Sequence, residues 1–458
     1  MKNHESLTQK AIALLNQNKH SLAKRVCNKI VEERQDHFQA HLLLGVINLQ
    51  ENELVSSEKH LNQALANARL PNELAQTYSN LSLVQTQLKR YDNAFASINA
   101  AIHYQPKQPL YYCNRANLYE IQQQWIEMKA DLEAALTLDA SIPELYINLA
   151  FAQRKLGLLT DAYTTLLRRP QYQIADWLQE WILVAMLTQR TEQVIEWYQA
   201  NKQHPSTLIA TTDYVLDQGH IDHAKQLYSL LSDFYPENQY LRHQLNALFG
   251  ITSDKAPAQY VTELFDHCAA EFESRLVGQL NYQLPETLSD ALRFYISGPI
   301  EKVIDLGCGT GLVGRALKQH FQISQLLGID LSSNMLIQAQ IQGGYDELIQ
   351  GDVIEALSGL PLSSLITAAD VLIYIGEVKK LFQAIHSRLI SGGLFVFSTE
   401  DCATELQLEL HGRYQHSRGY IQSQLAELGF ILLDQQACQI RLEKDVPVKG
   451  TLFIVKKP

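Results

Sequence analysis

No apolar run in this 458-residue chain approaches the roughly 20 residues that a bilayer-spanning helix requires. The opening Met1-Lys-Asn-His-Glu-Ser-Leu-Thr8 has no apolar core of the kind a secretory signal carries, so the expected location is the cytoplasm. Close cysteine pairs are missing as well. Cys27, Cys113, Cys268, Cys308, Cys402 and Cys438 are scattered, which suggests neither a disulfide framework nor a zinc site, and no metal is expected. Clustered positive charge is also scarce: the formal net charge is −11, and Arg168-Arg169 and Lys379-Lys380 are isolated pairs that read as solvated helix faces. A broad nucleic-acid footprint needs Lys and Arg gathered on one face, so nucleic acid is not an expected partner. What remains, 46% hydrophobic and 19% charged residues, describes an ordinary folded chain with room for two or three domains.

Residues 1–250 show apolar positions at helical spacing and small residues recurring with a period close to 34. Ser82, Ala116 and Ala150 share one position of a first helix, and Ala94, Met128 and Ala162 share one of a second. Ala101 and Ala135 form a third register that Arg169 breaks. Small side chains let paired helices cross closely, and Met128 reads as a flexible filler. Gly45, Ser57 and Ala64 mark an earlier unit with about three extra residues before the next. Pro106 and Pro236 fall at unit ends, and the segment with Trp177, Trp181 and Trp197 fits a helix pair but not the period. The period is that of tetratricopeptide repeats, six or seven of them, stacked into an all-α solenoid whose groove suits a peptide or partner protein. The alternative is a solenoid that only scaffolds. Glu237 to Phe249 reads as a capping helix and Gly250 to Pro257 as a short linker.

Residues 251–458 alternate strands and helices. Val303-Ile-Asp-Leu-Gly-Cys-Gly-Thr-Gly311 runs from a buried strand through a glycine turn into a helix. Gly307, Gly309 and Gly311 allow a sharp bend and close approach of a nucleoside-bearing ligand. Gly309-x-Gly311-x-x-Gly314, with Asp330 further on, also fits the dinucleotide fingerprint of a nicotinamide-dependent oxidoreductase. Asp305 separates the two readings: a carboxylate there repels a pyrophosphate and suits the ammonium and sulfonium of S-adenosylmethionine. Asp330 ends a second strand where it accepts from ribose hydroxyls. Asp352 ends a third, where it accepts from the adenine amino group while Val353 and Met335 cover the ring faces. A fourth strand, Leu365 to Tyr374, and a fifth, Gly393 to Ser398, follow, and Phe430 to Arg441 with Gly450 to Val455 reads as a terminal hairpin about a Lys444-Asp-Val-Pro447 turn.

Asp305-x-Gly-x-Gly-x-Gly311, Asp330-Leu331-Ser, Gly351-Asp-Val, Ala369-Asp370-Val-Leu and Ser391-Gly-Gly393 together resemble a class I S-adenosylmethionine-dependent methyltransferase, over roughly residues 260–458. The lead-in Tyr260 to Phe272 and Gly412-Arg-Tyr-Gln-His-Ser417 resemble a bacterial group that joins tetratricopeptide repeats to such a domain. The resemblance implies a Rossmann-like α/β domain with a seven-stranded sheet and a reversed final hairpin. It implies a cofactor pocket that adds Cys308, Thr310, Leu331, Ala369 and Asp370 to the residues above. His267-Cys268 departs from the aromatic residue expected in the lead-in, while Phe265, Phe272 and Arg275 are candidate covers over the cofactor.

Methyl transfer is an in-line displacement that depends on alignment, and an oxygen or nitrogen acceptor adds the need for a base. Tyr374, Glu400, Tyr414 and His416 lie in the segments after the fourth and fifth strands. His416 is the preferred base, because an imidazole titrates near neutrality and Arg413 to Arg418 is too polar for ordinary core. The competing reading has this segment capping the helix that follows, with Ser417 as N-cap. Tyr374 is expected to orient the acceptor or face the onium charge. The acceptor is a protein or a small molecule. A second hypothesis is an interaction scaffold whose methyltransferase fold holds cofactor without catalysis.

Overall fold

The protein, seen in a computed structural model, is described for residues 2–458 except Tyr172, His267, Cys268, Ala270, Glu271, Ser274, Arg275, Val277, Gln279, Lys444 and Asp445. The expected departure at His267-Cys268, the cover from Arg275 and the first half of the Lys444 to Pro447 turn lie outside the described residues. The chain forms two compact units, residues 1–219 and 220–458.

In the first unit successive helices pack in pairs: Lys2–Leu15 with His20–Glu33, Phe38–Gln50 with Leu54–Asn67, Pro71–Gln87 with Tyr91–Tyr104, Pro109–Ile121 with Trp125–Leu138, Pro143–Lys155 with Leu159–Arg168, and Ala175–Leu187 with Thr191–Ala200. Pro205–Asp217 ends the unit. Pro71, Pro109, Pro143 and Pro205 stand in the first turn of their helices, where the missing N–H would have had no partner. Second helices start at Tyr91, Trp125 and Leu159, 34 residues apart, after a longer step from Leu54 that accommodates the expected insertion. The small residues of the three registers are buried, Met128 among them. A Cβ at Gly45 would stand 2.6 Å from the Leu61 side chain, so the helices there touch as closely as glycine permits. Arg169 breaks its register because the preceding helix has already ended at Arg168.

After this point the helix starts step by 32 residues, from Pro143 and Leu159 to Ala175 and Thr191. Trp177 stacks on Trp181 at 5.8 Å between centroids and Trp197 meets Trp181 edge-on. Glu180, buried beside them, accepts from Arg154 Nε and Nη2 at 2.6 and 2.9 Å and from the Tyr214 hydroxyl at 2.8 Å. Each of the six pairs turns through one residue with positive φ: Asn18, Asn52, Lys89, Gln123, Gly157 and Gln189.

The second unit opens with helices Ile221–Phe234 and Gln239–Phe249. The sequence assigns both to the repeat segment, yet they group with the sheet-bearing unit. Ala247 is buried with Tyr260, Leu408 and Tyr414, and His243 Nε2 bonds the Gly412 carbonyl at 2.8 Å. Among the described residues nine strands follow: β1 (Ile300–Leu306), β2 (Ile323–Asp330), β3 (Glu347–Gln350), β4 (Ser363–Ala368), β5 (Leu389–Glu400), β6 (Leu406–Leu408), β7 (Tyr414–His416), β8 (Ile431–Glu443) and β9 (Val446–Lys456). Seven form one sheet in the order β3-β2-β1-β4-β5-β9-β8, and β6 and β7 form a separate hairpin. Strands β1 to β5 pair in parallel, while β9 runs antiparallel to β5 and β8, which is the expected reversed end. Their interiors are near-continuous apolar runs because helices cover both faces, with one core around Phe382, Phe395 and Phe397 and another around Leu284, Val303 and Val396. The fourth strand stops at Ala368, short of the expected Tyr374, because Asp370 is left-handed and Leu372–Tyr374 coils into a 3₁₀ turn.

The segment before the sheet is not a loose linker. Asp254 O accepts from the Gly376 and Glu377 amides, Ala256 N–H donates to Tyr374 O, and Lys255 forms an antiparallel bridge with Ile375. No described helix is long and apolar enough to cross a membrane.

Candidate functional site

Strand order reverses at β1, which has β2 on one side and β4 on the other, so the loops at their carboxyl ends part and leave a crevice. A cavity of about 240 Å³ lies there, lined by Gly307, Cys308, Gly309, Thr310, Asp330, Leu331, Met335, Asp352, Val353, Ala369, Asp370 and Tyr374 among others. Of the expected site residues, Asp305, Gly311 and His416 are not in that lining.

Asp305 differs most from its sequence reading. Its side chain is buried, with Oδ1 accepting from the Thr367 hydroxyl at 2.7 Å and Oδ2 from the Tyr345 hydroxyl at 2.6 Å. Desolvation pushes its pKa up to about 6 against the pull of those two bonds. The carboxylate thus braces the turn from below. Tyr345 is the other half of the brace: its oxygen also accepts from Gly314 N–H at 3.1 Å. A Cβ at Gly314 would meet that hydroxyl at 2.5 Å and one at Gly311 would meet the ring at 3.0 Å. The third glycine of the apparent dinucleotide fingerprint therefore makes room for a tyrosine. Gly307, at φ +62°, is pressed from the other side, where a Cβ would stand 2.5 Å from Val371 Cγ2.

Above the brace the turn is open. Among the described residues a Cβ on Gly309 would meet nothing within 4 Å, and the buried Thr310 hydroxyl has no hydrogen-bond partner. Asp330 ends β2 beside them, its Oδ2 accepting from Gly309 N–H at 2.8 Å and Oδ1 from Ser332 N–H at 2.9 Å. Burial raises its pKa despite those amides. Asp352 caps the helix Val353–Leu357 through Oδ1, which accepts from the Ile354 and Glu355 amides, and its Oδ2 accepts from Lys255 Nζ at 2.8 Å.

On the far wall Asp370, at φ +58°, accepts from Arg441 Nη1 at 3.1 and 3.0 Å, and Arg441 Nη2 donates to Glu400 at 2.5 Å. Arg413 and Arg441 both line the cavity. Tyr374 meets Phe265 edge-on at 5.6 Å, and Phe265 meets Phe272 in the same way, so both phenylalanines line the cavity as the sequence allowed. Burial pushes the Tyr374 and Tyr282 phenols well above their ordinary range.

His416 stands outside the cavity lining and is fully buried; its Nε2 donates to the Gly376 carbonyl at 2.9 Å, and burial lowers its pKa. Ser417 caps the next helix, accepting from Tyr420 N–H, which favours the capping reading of this segment. Tyr414 is buried against the Ser253 hydroxyl at 2.6 Å. The sequence reading missed Tyr345, Tyr282, Lys255 and Arg441, none of which sits in a recognisable local pattern.

Residues 304–395 match the family model described as a methyltransferase domain, and residues 75–108 match that of a tetratricopeptide repeat. Among curated proteins, a malonyl-[acyl-carrier protein] O-methyltransferase from Bacteroides thetaiotaomicron is 30% identical over 119 residues, covering 26% of this chain and 45% of that protein. The chain spans about half the length of the curated relatives it matches. Among solved structures, the N-methyltransferase NodS from Bradyrhizobium japonicum, in complex with S-adenosyl-L-homocysteine, aligns with TM-score 0.32 and 21% identity, over 38% of this chain and 85% of that one. PilF from Pseudomonas aeruginosa aligns with TM-score 0.38 and 17% identity, over 52% and 94%. The two family-model matches, taken with the reversed seven-stranded sheet and the paired helices already described, place a tetratricopeptide repeat ahead of a methyltransferase domain of Rossmann-like fold in this chain.

Proposed function

We propose that this chain binds S-adenosylmethionine at the turn after β1 and transfers its methyl group to a protein or small-molecule acceptor in the same cavity. The observation that carries the reading is the open face at Gly309 and Thr310 beside Asp330. A bare backbone, an unpaired hydroxyl and a strand-end carboxylate fit an amino-acid moiety and a ribose diol. Leu331, Met335 and Val353 supply apolar surface for the adenine ring, and Asp352 closes that end. S-adenosylmethionine, when bound, supplies a methyl group activated by a sulfonium. The protein's own part is to hold the acceptor in line, exclude water with Phe265 and Phe272, and keep the turn rigid through Asp305 and Tyr345.

The charge argument for this cofactor moves accordingly. Asp305 acts beneath the turn, and the steric fit of Tyr345 under Gly314 replaces it as the reason the glycine pattern is not that of a dinucleotide site. The repeats are taken to recruit a substrate or partner protein, with residues 1–250 as the recruiting module and 251–458 as the catalytic one, working in the cytoplasm.

Calorimetry on the full chain tests the reading: S-adenosylhomocysteine is expected to bind and NADH is not. Uptake of NADH with none of S-adenosylhomocysteine would overturn it. Label from methyl-tritiated S-adenosylmethionine, followed with and without residues 1–219, tests recruitment, which is refuted if macromolecular labelling is unchanged.

A further inference from the structure

Groups able to take a proton are few around this cavity. Among the described lining residues there is no histidine, and the carboxylates are already engaged: Asp330 by two backbone amides, Asp352 by two amides and Lys255, and Asp370 by Arg441. Burial holds the phenols of Tyr282 and Tyr374 and the Cys308 thiol away from ionisation, so they stay protonated near neutrality. His416 directs its Nε2 to Gly376 O, outside the lining.

Two guanidiniums share the far wall, and they differ in how fully they are used. Arg441 gives Nη1 to both oxygens of Asp370 and Nη2 to Glu400. Arg413, between β6 and β7, donates through Nη2 to Glu443. Glu400, already held by Arg441, stands 3.7 Å from Arg413 Nε, which is buried with no hydrogen-bond partner among the described residues. A guanidinium offers five N–H donors in a fork that matches a carboxylate, and Arg413 Nη1 makes no hydrogen bond to a described residue, so Arg413 has donors to spare on a residue that lines the cavity.

We propose, resting on the methyl-transfer reading above, that the acceptor is a carboxylate held by Arg413 and that the product is its methyl ester. A carboxylate oxygen is already anionic, so the scarcity of bases around it is no obstacle. The oxygen supplies the electron pair of the new O–CH₃ bond, the S–CH₃ bond breaks with its pair passing to sulfur, and no proton is released. The carboxylate loses its charge as the ester forms, so Arg413 favours the bound acceptor over the transition state. Its loss appears in KM more than in kcat.

The test uses the full chain with methyl-tritiated S-adenosylmethionine and a dialysed bacterial extract, together with a panel of short mono- and dicarboxylic acids. Methyl esters release volatile methanol in mild alkali, whereas N-methyl, C-methyl and ether products do not. Enzyme-dependent label that becomes volatile is the expected result. Alkali-stable label overturns the acceptor class and leaves methyl transfer standing; an absence of labelling in a protein that binds S-adenosylhomocysteine overturns the acceptor class and leaves only cofactor binding standing. Failure to bind S-adenosylhomocysteine sinks the underlying reading instead. Arg413→Gln is expected to raise acceptor KM about 10- to 100-fold while S-adenosylhomocysteine affinity stays within about twofold, with Arg413→Lys in between. Equal losses of cofactor and acceptor binding would make Arg413 a structural residue and defeat its assignment. A kcat/KM profile without a base-dependent limb between pH 6 and 9 is expected, and a histidine-like limb would count against the proposal.

Discussion

In the repeat turns the left-handed backbone is carried by Asn18, Asn52, Lys89, Gln123 and Gln189, with glycine at Gly157 and Gly219, whereas the turn after β1 uses Gly307, Gly309 and Gly311 throughout. Nothing lies within 4 Å of where a Cβ at Gly157 would be, so a repeat turn asks only for an unusual φ. That strain is about 1–2 kcal/mol, which a well-packed helix pair absorbs. After β1 the same φ comes with Val371 on one side and Tyr345 on the other. The same residue type thus answers two different demands, conformational in the repeats and steric in the methyltransferase domain.

The largest expected effect is that of Gly307→Ala. A Cβ 2.5 Å from a stiff β-branched side chain adds overpacking to backbone strain, about 2–5 kcal/mol in all, and abolishes cofactor binding. Denaturant unfolding compared with Gly157→Ala tests it, since equal losses in the two variants would erase the contrast. Tyr345→Phe comes next: losing a hydroxyl that serves both Gly314 and Asp305 should reduce stability by about 1–3 kcal/mol and weaken S-adenosylhomocysteine binding. An unchanged denaturation midpoint would show that the ring alone sustains the turn.

A smaller effect concerns pH. Asp305 has its pKa raised from 3.8 to about 6, so the native state binds the extra proton. Its contribution is full below the unfolded pKa and is lost as pH rises through about 6. The methyltransferase domain should therefore lose stability from this source mainly between about pH 4 and 6, and Asp305→Asn should flatten that slope in thermal scans. The smallest effect is in the repeats: Gln123→Gly trades relief of strain against a more flexible unfolded chain, and the melting temperature should move by no more than about 1 kcal/mol equivalent. A large loss would mean that the Gln123 side chain does something its turn does not require.

The same contrast explains how much the sequence alone discloses. The repeat period, the helix pairs and the parallel sheet with its reversed end are legible because each rests on local periodicity, as in Ala94, Met128 and Ala162 or the apolar run into Asp305. Tyr345 is not legible, since nothing near Gly343-Gly344-Tyr345 announces a side chain destined to lie under a turn some thirty residues earlier. Nor is the grouping of Asp370, Glu400 and Arg441, which β4, β5 and β8 bring together only through the sheet order. His416 misleads for a related reason: its polar surroundings look solvent-facing in sequence, whereas Ser417 and Gly376 take up that polarity inside the fold.

Gly376 draws out a further consequence. A Cβ there would stand 2.4 Å from the carbonyl of Ser253, while Asp254 O holds its amide and that of Glu377. The stretch leading out of the helical region is therefore sewn to the loop that ends in the far wall of the cavity, with no slack for an added or deleted residue. Evolution or an engineer could exchange the repeats up to residue 219, but the register of the stitch is inherited together with the sheet, and a graft at residue 250 would strip away His243 and Ala247, which pack on Gly412 and Tyr414.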